Sequence, residues 1–247
     1  MNAPALWRPS PQQLAIGAAV AVVMFVVLMF LIDALVIRTV YSMPRWLISF
    51  FDFITDYGKS GWMLWPLGLL FIAIAATPPT LTRASQAVLA AINVRVGFLF
   101  AAIAVPGIVI NIIKHILGRA RPGVGGSLDP FLFSPFNWSA AYASLPSGHA
   151  TTVFSVIVGF GALWPRLTPV LWVYAILIVL SRWMVTAHYP TDTLAGAIIG
   201  AGGALLVRHY FAVRGLGFSY GAGGQVQTLP GPSLRRIKSV ARELLSQ

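Results

Sequence analysis

The sequence predicts an all-α, polytopic membrane protein with six transmembrane helices and interfacial amphipathic helices. Three observations carry that expectation. Of 247 residues, 57% are hydrophobic and only 9% are charged, against roughly a quarter charged in an ordinary soluble domain. The mean hydropathy is +0.80. The apolar residues gather in six runs, with the basic residues scattered between them. So little polar surface leaves most of the chain facing lipid or other protein.

The first run, residues 14–32, is free of charge and long enough to span ~30 Å of hydrocarbon at ~1.5 Å per residue. It lacks a small-residue cleavage site, so it reads as a retained helix and not as a secretory signal. Residues 61–77 and 96–117 form the second and third runs. The fourth (150–164), fifth (167–181) and sixth (193–207) are short for a span, and each borrows polar residues at one end. Those residues are His149, Arg182, His188 and Asp192. Gly196 and Gly200 give the sixth run a GxxxG spacing, which favours close helix packing.

Three accessory segments complete the reading. Residues 44–57 are amphipathic and aromatic, and are expected on the outer membrane surface. Residues 215–225, GLGFSYGAGGQ, read as a flexible linker. Residues 233–245 space Leu234, Ile237, Ala241 and Leu244 along one helical face with basic residues opposite, a surface helix for anionic headgroups. The chain thus divides into a six-helix domain, residues 1–214, and a glycine-rich linker with a basic tail, residues 215–247.

The formal net charge of +11 forms no stripe, so it argues for membrane topology and against nucleic acid. The chain has no cysteine, which excludes disulfides and thiolate metal sites. Ten of the 17 Lys and Arg residues fall on the side of both termini. That bias puts the termini in the cytoplasm and every candidate site residue at the outer, periplasmic face. Gly58-Lys59-Ser60 resembles the end of a phosphate loop, but Phe53 stands where its first glycine belongs.

The unusual chemistry lies in three segments at that outer face: residues 114–122 (KHILGRARP), 146–149 (PSGH) and 181–192 (SRWMVTAHYPTD). Taken singly, each has an ordinary explanation. Basic residues snorkel to headgroups, Asp192 suits a helix N-terminus and Ser147 suits a helix cap. Their convergence on one face favours a single site. Guanidinium and ammonium groups meeting a helix N-terminus make a phosphate pocket. A histidine oriented by a carboxylate can attack phosphorus, and a second histidine can protonate the departing oxygen. No cluster of carboxylates is present to hold magnesium or calcium, so fixed cations take that role and no metal or other cofactor is expected.

Lys-x6-Arg-Pro at 114–122, PSGH at 146–149 and Ser-Arg-x5-His-x3-Asp at 181–192 together resemble the tripartite signature of the type 2 phosphatidic acid phosphatase (PAP2) superfamily. The resemblance implies a metal-independent lipid phosphatase of a bacterial inner membrane. It makes His188 the nucleophile that forms a phosphohistidine, Asp192 its orienting partner, and His149 the acid and base. Lys114, Arg121, Arg182, Ser147 and the Gly148 amide would hold the phosphoryl oxygens. Arg119, outside the signature, is a further candidate for touching substrate, ahead of His115; His209 is expected to be uninvolved. Phosphatidylglycerophosphate, phosphatidic acid, undecaprenyl diphosphate and lipid A 1-phosphate are the substrates the family suggests. A lipid-to-lipid phosphotransferase and a non-catalytic phospholipid-binding transporter or scaffold are the alternatives. The aromatics Phe131, Phe133, Phe136, Trp138 and Tyr142 of residues 123–145 suit an interfacial belt, or else a lid or acyl-chain guide.

Overall fold

The computed structural model describes residues 10–77 and 80–246. Arg8, one of the basic residues weighed for orientation, lies outside them. The first rod starts at Ser10, whose side chain accepts from the Gln13 amide while Gln13 reaches back to the Ser10 amide. Pro11 follows at the first helical position, where its missing N–H costs nothing. Helix α1 (Pro11–Leu28) passes through a π-turn, Met29–Asp33, into α2 (Ala34–Tyr41). The expected run of 14–32 therefore extends by more than two turns, carrying Asp33 inside it.

Helix α3 (Arg45–Thr55) is the amphipathic segment expected at the surface, and it packs against α7 (Thr168–Met184). A 3₁₀ turn, Asp56–Gly58, leads to α4 (Gly61–Ala75). Helix α5 (Arg83–Leu117) begins 13 residues before the apolar run it contains, capped by Thr82. Its 35 residues make a rod of about 52 Å. Helix α6 (Gly148–Leu163) and α8 (Pro190–Val213) complete the bundle.

Among the described residues, five stretches are long and apolar enough to cross a membrane: Pro11–Tyr41, Arg45–Ala75, Arg83–Leu117, Pro165–Met184 and Pro190–Val213. The remaining expected span is α6, with 16 residues, or about 24 Å. It is the central helix, packed on α5, α7 and α8, with Ala150, Val153, Val156 and Ser155 buried. Elsewhere large apolar side chains point outward, Phe30 at 74% and Leu206 at 71% exposure. In water such a surface would aggregate; in lipid it is matched.

The closest helix contact is between α6 and α8. A Cβ at Gly196 would sit 2.4 Å from the Ser147 carbonyl oxygen, and one at Gly200 2.3 Å from that of Thr151. Only glycine admits this approach, and Ser155 Oγ then donates to the Gly200 carbonyl at 3.1 Å. The sixth-run spacing thus does the packing expected of it.

The glycine-rich stretch differs from expectation. Strands β1 (Phe218–Tyr220) and β2 (Val226–Thr228) pair there as an antiparallel hairpin. Phe218 is fully buried against Phe98 and Ala212, an apolar anchor that the glycine count conceals. Arg95 and Arg208 donate to the Leu229 and Val226 carbonyls, tying the hairpin to α5 and α8. The tail forms α9 (Leu234–Leu245), which docks on the start of α5. Glu243 accepts from the Thr82 amide and from the Thr82 and Ser85 hydroxyls. Val240 is buried there, whereas Leu234 and Leu245 remain outside.

Candidate active site

The site lies at the C-terminal end of α5, about 50 Å along that helix from the docked tail. Lys114 stands on the last turn of α5. Gly118 closes the helix at φ +61°, and a Cβ there would overlap the Ser134 carbonyl at 1.8 Å. The chain then zips against the following loop: Ala120 N–H bonds the Leu132 carbonyl, Arg121 N–H that of Ala141, and Ser144 N–H that of Arg119. This brings Arg121 and Ser144 to the start of α6. The Gly148 Cα direction faces Lys114, whose Nζ would be 3.7 Å from a Cβ at that glycine.

Ser147 occupies the cap position of α6, yet its hydroxyl makes no cap bond. Its amide instead bonds the Asp192 carbonyl at 2.9 Å, locking the two helix starts together. Arg182 ends α7, and Thr55 of α3 accepts from its Nη1 at 2.5 Å. Helix α3 thus supplies a hydroxyl that orients Arg182. Thr186, at φ +50°, turns the chain between Arg182 and His188.

His188 Nδ1 lies 2.8 Å from the Ser144 carbonyl and 3.7 Å from Asp192 Oδ2. A carbonyl only accepts, so Nδ1 carries the proton and Nε2 presents its lone pair. The longer separation exceeds a hydrogen bond, so Asp192 acts on the ring through its charge. Burial pushes the His188 pKa down to about 4, against the opposing pull of Asp192 and with repulsion from Arg182 and Arg121. The imidazole is accordingly neutral and nucleophilic near pH 7. Burial also lowers the Arg121 pKa from its ordinary value, opposed by the charge of Asp192.

Asp192 accepts from Ser144 Oγ at 2.6 Å, the Tyr189 amide at 2.8 Å and Arg119 Nη1 at 2.5 Å. Arg119 is wholly buried and does not face the pocket. It binds Asp33 Oδ2 at 2.7 Å, the Thr191 hydroxyl and the Pro130 carbonyl, with the Tyr189 ring 4.5 Å from its guanidinium carbon. The expectation that Arg119 touches substrate is therefore replaced by a place behind Asp192. His115 stacks on Trp138, and His209 pairs with Tyr220 on the far half of α8.

Among the described residues, six buried side-chain nitrogens or oxygens have no protein partner, and four belong here: Arg121 Nε, Ser147 Oγ, His149 Nε2 and Arg182 Nε. Each such group costs about 1–3 kcal/mol, so their concentration marks a place built for a ligand that accepts hydrogen bonds. His149 also feels the charges of Arg182, His188 and Lys114. An adjoining cavity of about 240 Å³ is lined by Lys59, Asn111, Lys114, Gly148, His149 and Thr152. Gly58 approaches so closely that a Cβ would lie 2.6 Å from His149 Cδ2. The 58–60 segment is no nucleotide loop, but it walls the site.

Asp33, Thr55, Ser144, Thr191 and Lys59 escaped the sequence reading. Asp33 carried a usable signal: an acid continuing an apolar membrane run is costly unless paired. Ser144 and Thr55 carried none, because ordinary hydroxyl residues acquire their roles from neighbours distant in sequence.

The PAP2 superfamily model matches residues 95–216, which contain all three signature segments. A protein of Rhizobium johnstonii named lipid A 1-phosphatase is 35% identical over 174 residues, covering 70% of this chain and 71% of its own. A protein of the same name from Rhizobium etli is 34% identical over 174 residues, covering 70% and 75%. The crystal structure of Aquifex aeolicus LpxE superposes with a TM-score of 0.52 at 22% identity, over 72% of this chain and 95% of that one. A PAP2-type phosphatidylglycerolphosphate phosphatase from Bacillus subtilis gives 0.52 at 19% identity, over 76% and 92%. With the signature residues gathered at one end of the bundle and these relatives beside it, the chain belongs to the PAP2 superfamily.

Proposed function

We propose that the chain removes the 1-phosphate of lipid A through a phosphohistidine at His188, on the outer face of a bacterial inner membrane. Membership of the family makes it a lipid phosphatase. The two relatives named lipid A 1-phosphatase support that substrate over the other lipids the family suggests. The observation that carries the chemistry is the set of four buried, unpartnered polar atoms beside a histidine whose Nε2 is free of its proton.

The phosphate enters among Lys114, Arg121, Arg182, Ser147 and the α6 N-terminus, whose positive end favours an anion. His188 Nε2 attacks phosphorus, the bond from phosphorus to the lipid oxygen breaks, and His149 gives that oxygen a proton. His149 then takes a proton from water, the water oxygen attacks phosphorus, and the phosphorus–nitrogen bond breaks to free inorganic phosphate. The cations stabilise charge spreading over the equatorial oxygens in both steps. The outer location rests on the opposed positions of the site and the basic tail, together with the bias of Lys and Arg toward the tail end.

Phosphate release from lipid A in detergent with EDTA, comparing wild type with His188→Ala, tests the reading. Release that persists in EDTA and disappears in the variant supports it. A folded wild type that leaves lipid A intact while hydrolysing phosphatidylglycerophosphate overturns the substrate, and EDTA-sensitive release overturns the mechanism.

A further inference from the structure

Behind the catalytic carboxylate lies a second one that the signature does not contain. Asp33, in the π-turn of the first membrane helix, is wholly buried. Such turns rotate one side chain out of regular register, and here the turn carries Asp33 toward Arg119. Its Oδ1 accepts from the Thr191 amide at 3.0 Å, and its Oδ2 from the Thr191 hydroxyl at 2.5 Å and from Arg119 Nη2 at 2.7 Å. The Thr191 amide donates to one oxygen and the Arg119 guanidinium to the other, and the contact with that cation keeps Asp33 a carboxylate anion. The same holds for Asp192, whose partners are Arg119 Nη1, Ser144 Oγ and the Tyr189 amide.

One guanidinium is therefore shared by two carboxylates. Paired with Arg119 alone, Asp192 would belong to a neutral pair with little attraction left for a cationic imidazole. Asp33 supplies the second negative charge and holds the cluster at a net charge of −1. When His188 attacks phosphorus its ring becomes positive, and ring plus cluster reach neutrality with no solvent to rearrange. We propose that Asp33 is a positioning residue for the phosphoryl-transfer step: through Arg119 it fixes the Asp192 carboxylate and keeps its charge available to His188. This rests on the assignment of His188 as nucleophile. Asp33 touches neither ring nor phosphate and acts only through its neighbours.

The test compares Asp33→Asn, Arg119→Gln and the double variant in detergent, with kcat and KM measured on lipid A and melting followed in parallel. Asp33→Asn makes the cluster neutral, and kcat falls about tenfold with KM within about twofold, the pattern of an interaction strengthened in the transition state. Arg119→Gln leaves two adjacent unpaired anions and falls further. The double variant restores a charge of −1, and its kcat rises above that of either single variant. A network needed only for folding predicts the reverse, with the double variant the worst of the three, and that result overturns the proposal. Unchanged kcat in Asp33→Asn overturns it as well. If Asp33→Asn does not fold, recovery of a folded, active double variant still supports charge balance, and its loss rejects it. Wild type and His188→Ala run alongside separate the two claims: His188-independent turnover rejects the nucleophile, whereas wild-type-like Asp33→Asn with inactive His188→Ala rejects only this inference.

Discussion

The carbonyl of Ser144 accepts from His188 Nδ1 at 2.8 Å, nearer to the ring than the Asp192 carboxylate at 3.7 Å. The histidine is thus oriented by backbone and energised by a charge one shell further out. Ser144 links the two, since its hydroxyl holds Asp192 while its carbonyl holds the ring.

Asp192→Asn should accordingly be less damaging than loss of a carboxylate bonded directly to its histidine. Removing the Asp of a Ser-His-Asp triad costs about 10⁴ in kcat because the tautomer is lost. Here the Ser144 carbonyl keeps the tautomer, so kcat should fall only about 10²-fold, against abolition in His188→Ala. Steady-state phosphate release measures both, and a 10⁴-fold loss in Asp192→Asn would contradict the backbone role.

The pH dependence follows from the neutral state of His188. Its neighbours are Asp192 of α8, Arg182 of α7, Arg121 beyond α5 and His149 of α6. With its pKa lowered from 6.5 to about 4, the proposed nucleophile stays unprotonated through the mildly acidic range. The kcat/KM profile should show no loss near pH 6.5 that is assignable to this residue, and loss only toward pH 4. For stability the sign is the same: the unfolded chain takes up the proton first, so this contribution is present above pH 6.5 and lost as pH falls toward 4. Thermal melts across this range check it.

His149 as leaving-group acid predicts a dependence on the leaving group. His149→Ala should lower turnover of a lipid substrate about 10²–10⁴-fold. With p-nitrophenyl phosphate, whose leaving group needs no proton, the variant should release a rapid burst of one p-nitrophenol per enzyme and then stall as phosphoenzyme. Equal loss on both substrates at the first turnover would remove His149 from this role.

Helix contact gives a packing prediction. Gly196→Ala drives a methyl to 2.4 Å from the Ser147 carbonyl, whereas Gly202 has nothing within 4 Å. The first substitution should cost about 1–3 kcal/mol and lower activity, because it separates Asp192 from the start of α6. Gly202→Ala should melt like wild type.

The tail offers a separable test. The Ser85 hydroxyl, and then the Thr82 amide, hold the Glu243 pKa below its ordinary value. Glu243→Gln should weaken this cap and hasten proteolysis of the tail, with kcat on detergent-solubilised lipid unchanged. Because the carboxylate is favoured in the docked state, acidification should loosen the tail as well.

By itself the sequence determined that the chain belongs in a membrane and where its apolar runs lie, and it singled out His149, His188 and Asp192 as one candidate site with Lys114, Arg121 and Arg182 from two of its three segments. Those conclusions need only hydropathy and spacing, which are local properties. Hidden from that reading were the early start of α5, the hairpin over 218–228 and the inward position of Arg119. Each depends on a partner far along the chain: Glu243 for Thr82, Phe98 for Phe218, Asp33 for Arg119. Snorkelling arginine and buried arginine look alike in sequence, since both sit at a helix end beside apolar residues. Only the fold, by bringing the first membrane helix to Asp192, decided that Arg119 would lie buried between two aspartates while the Arg121 Nε is left without a protein partner.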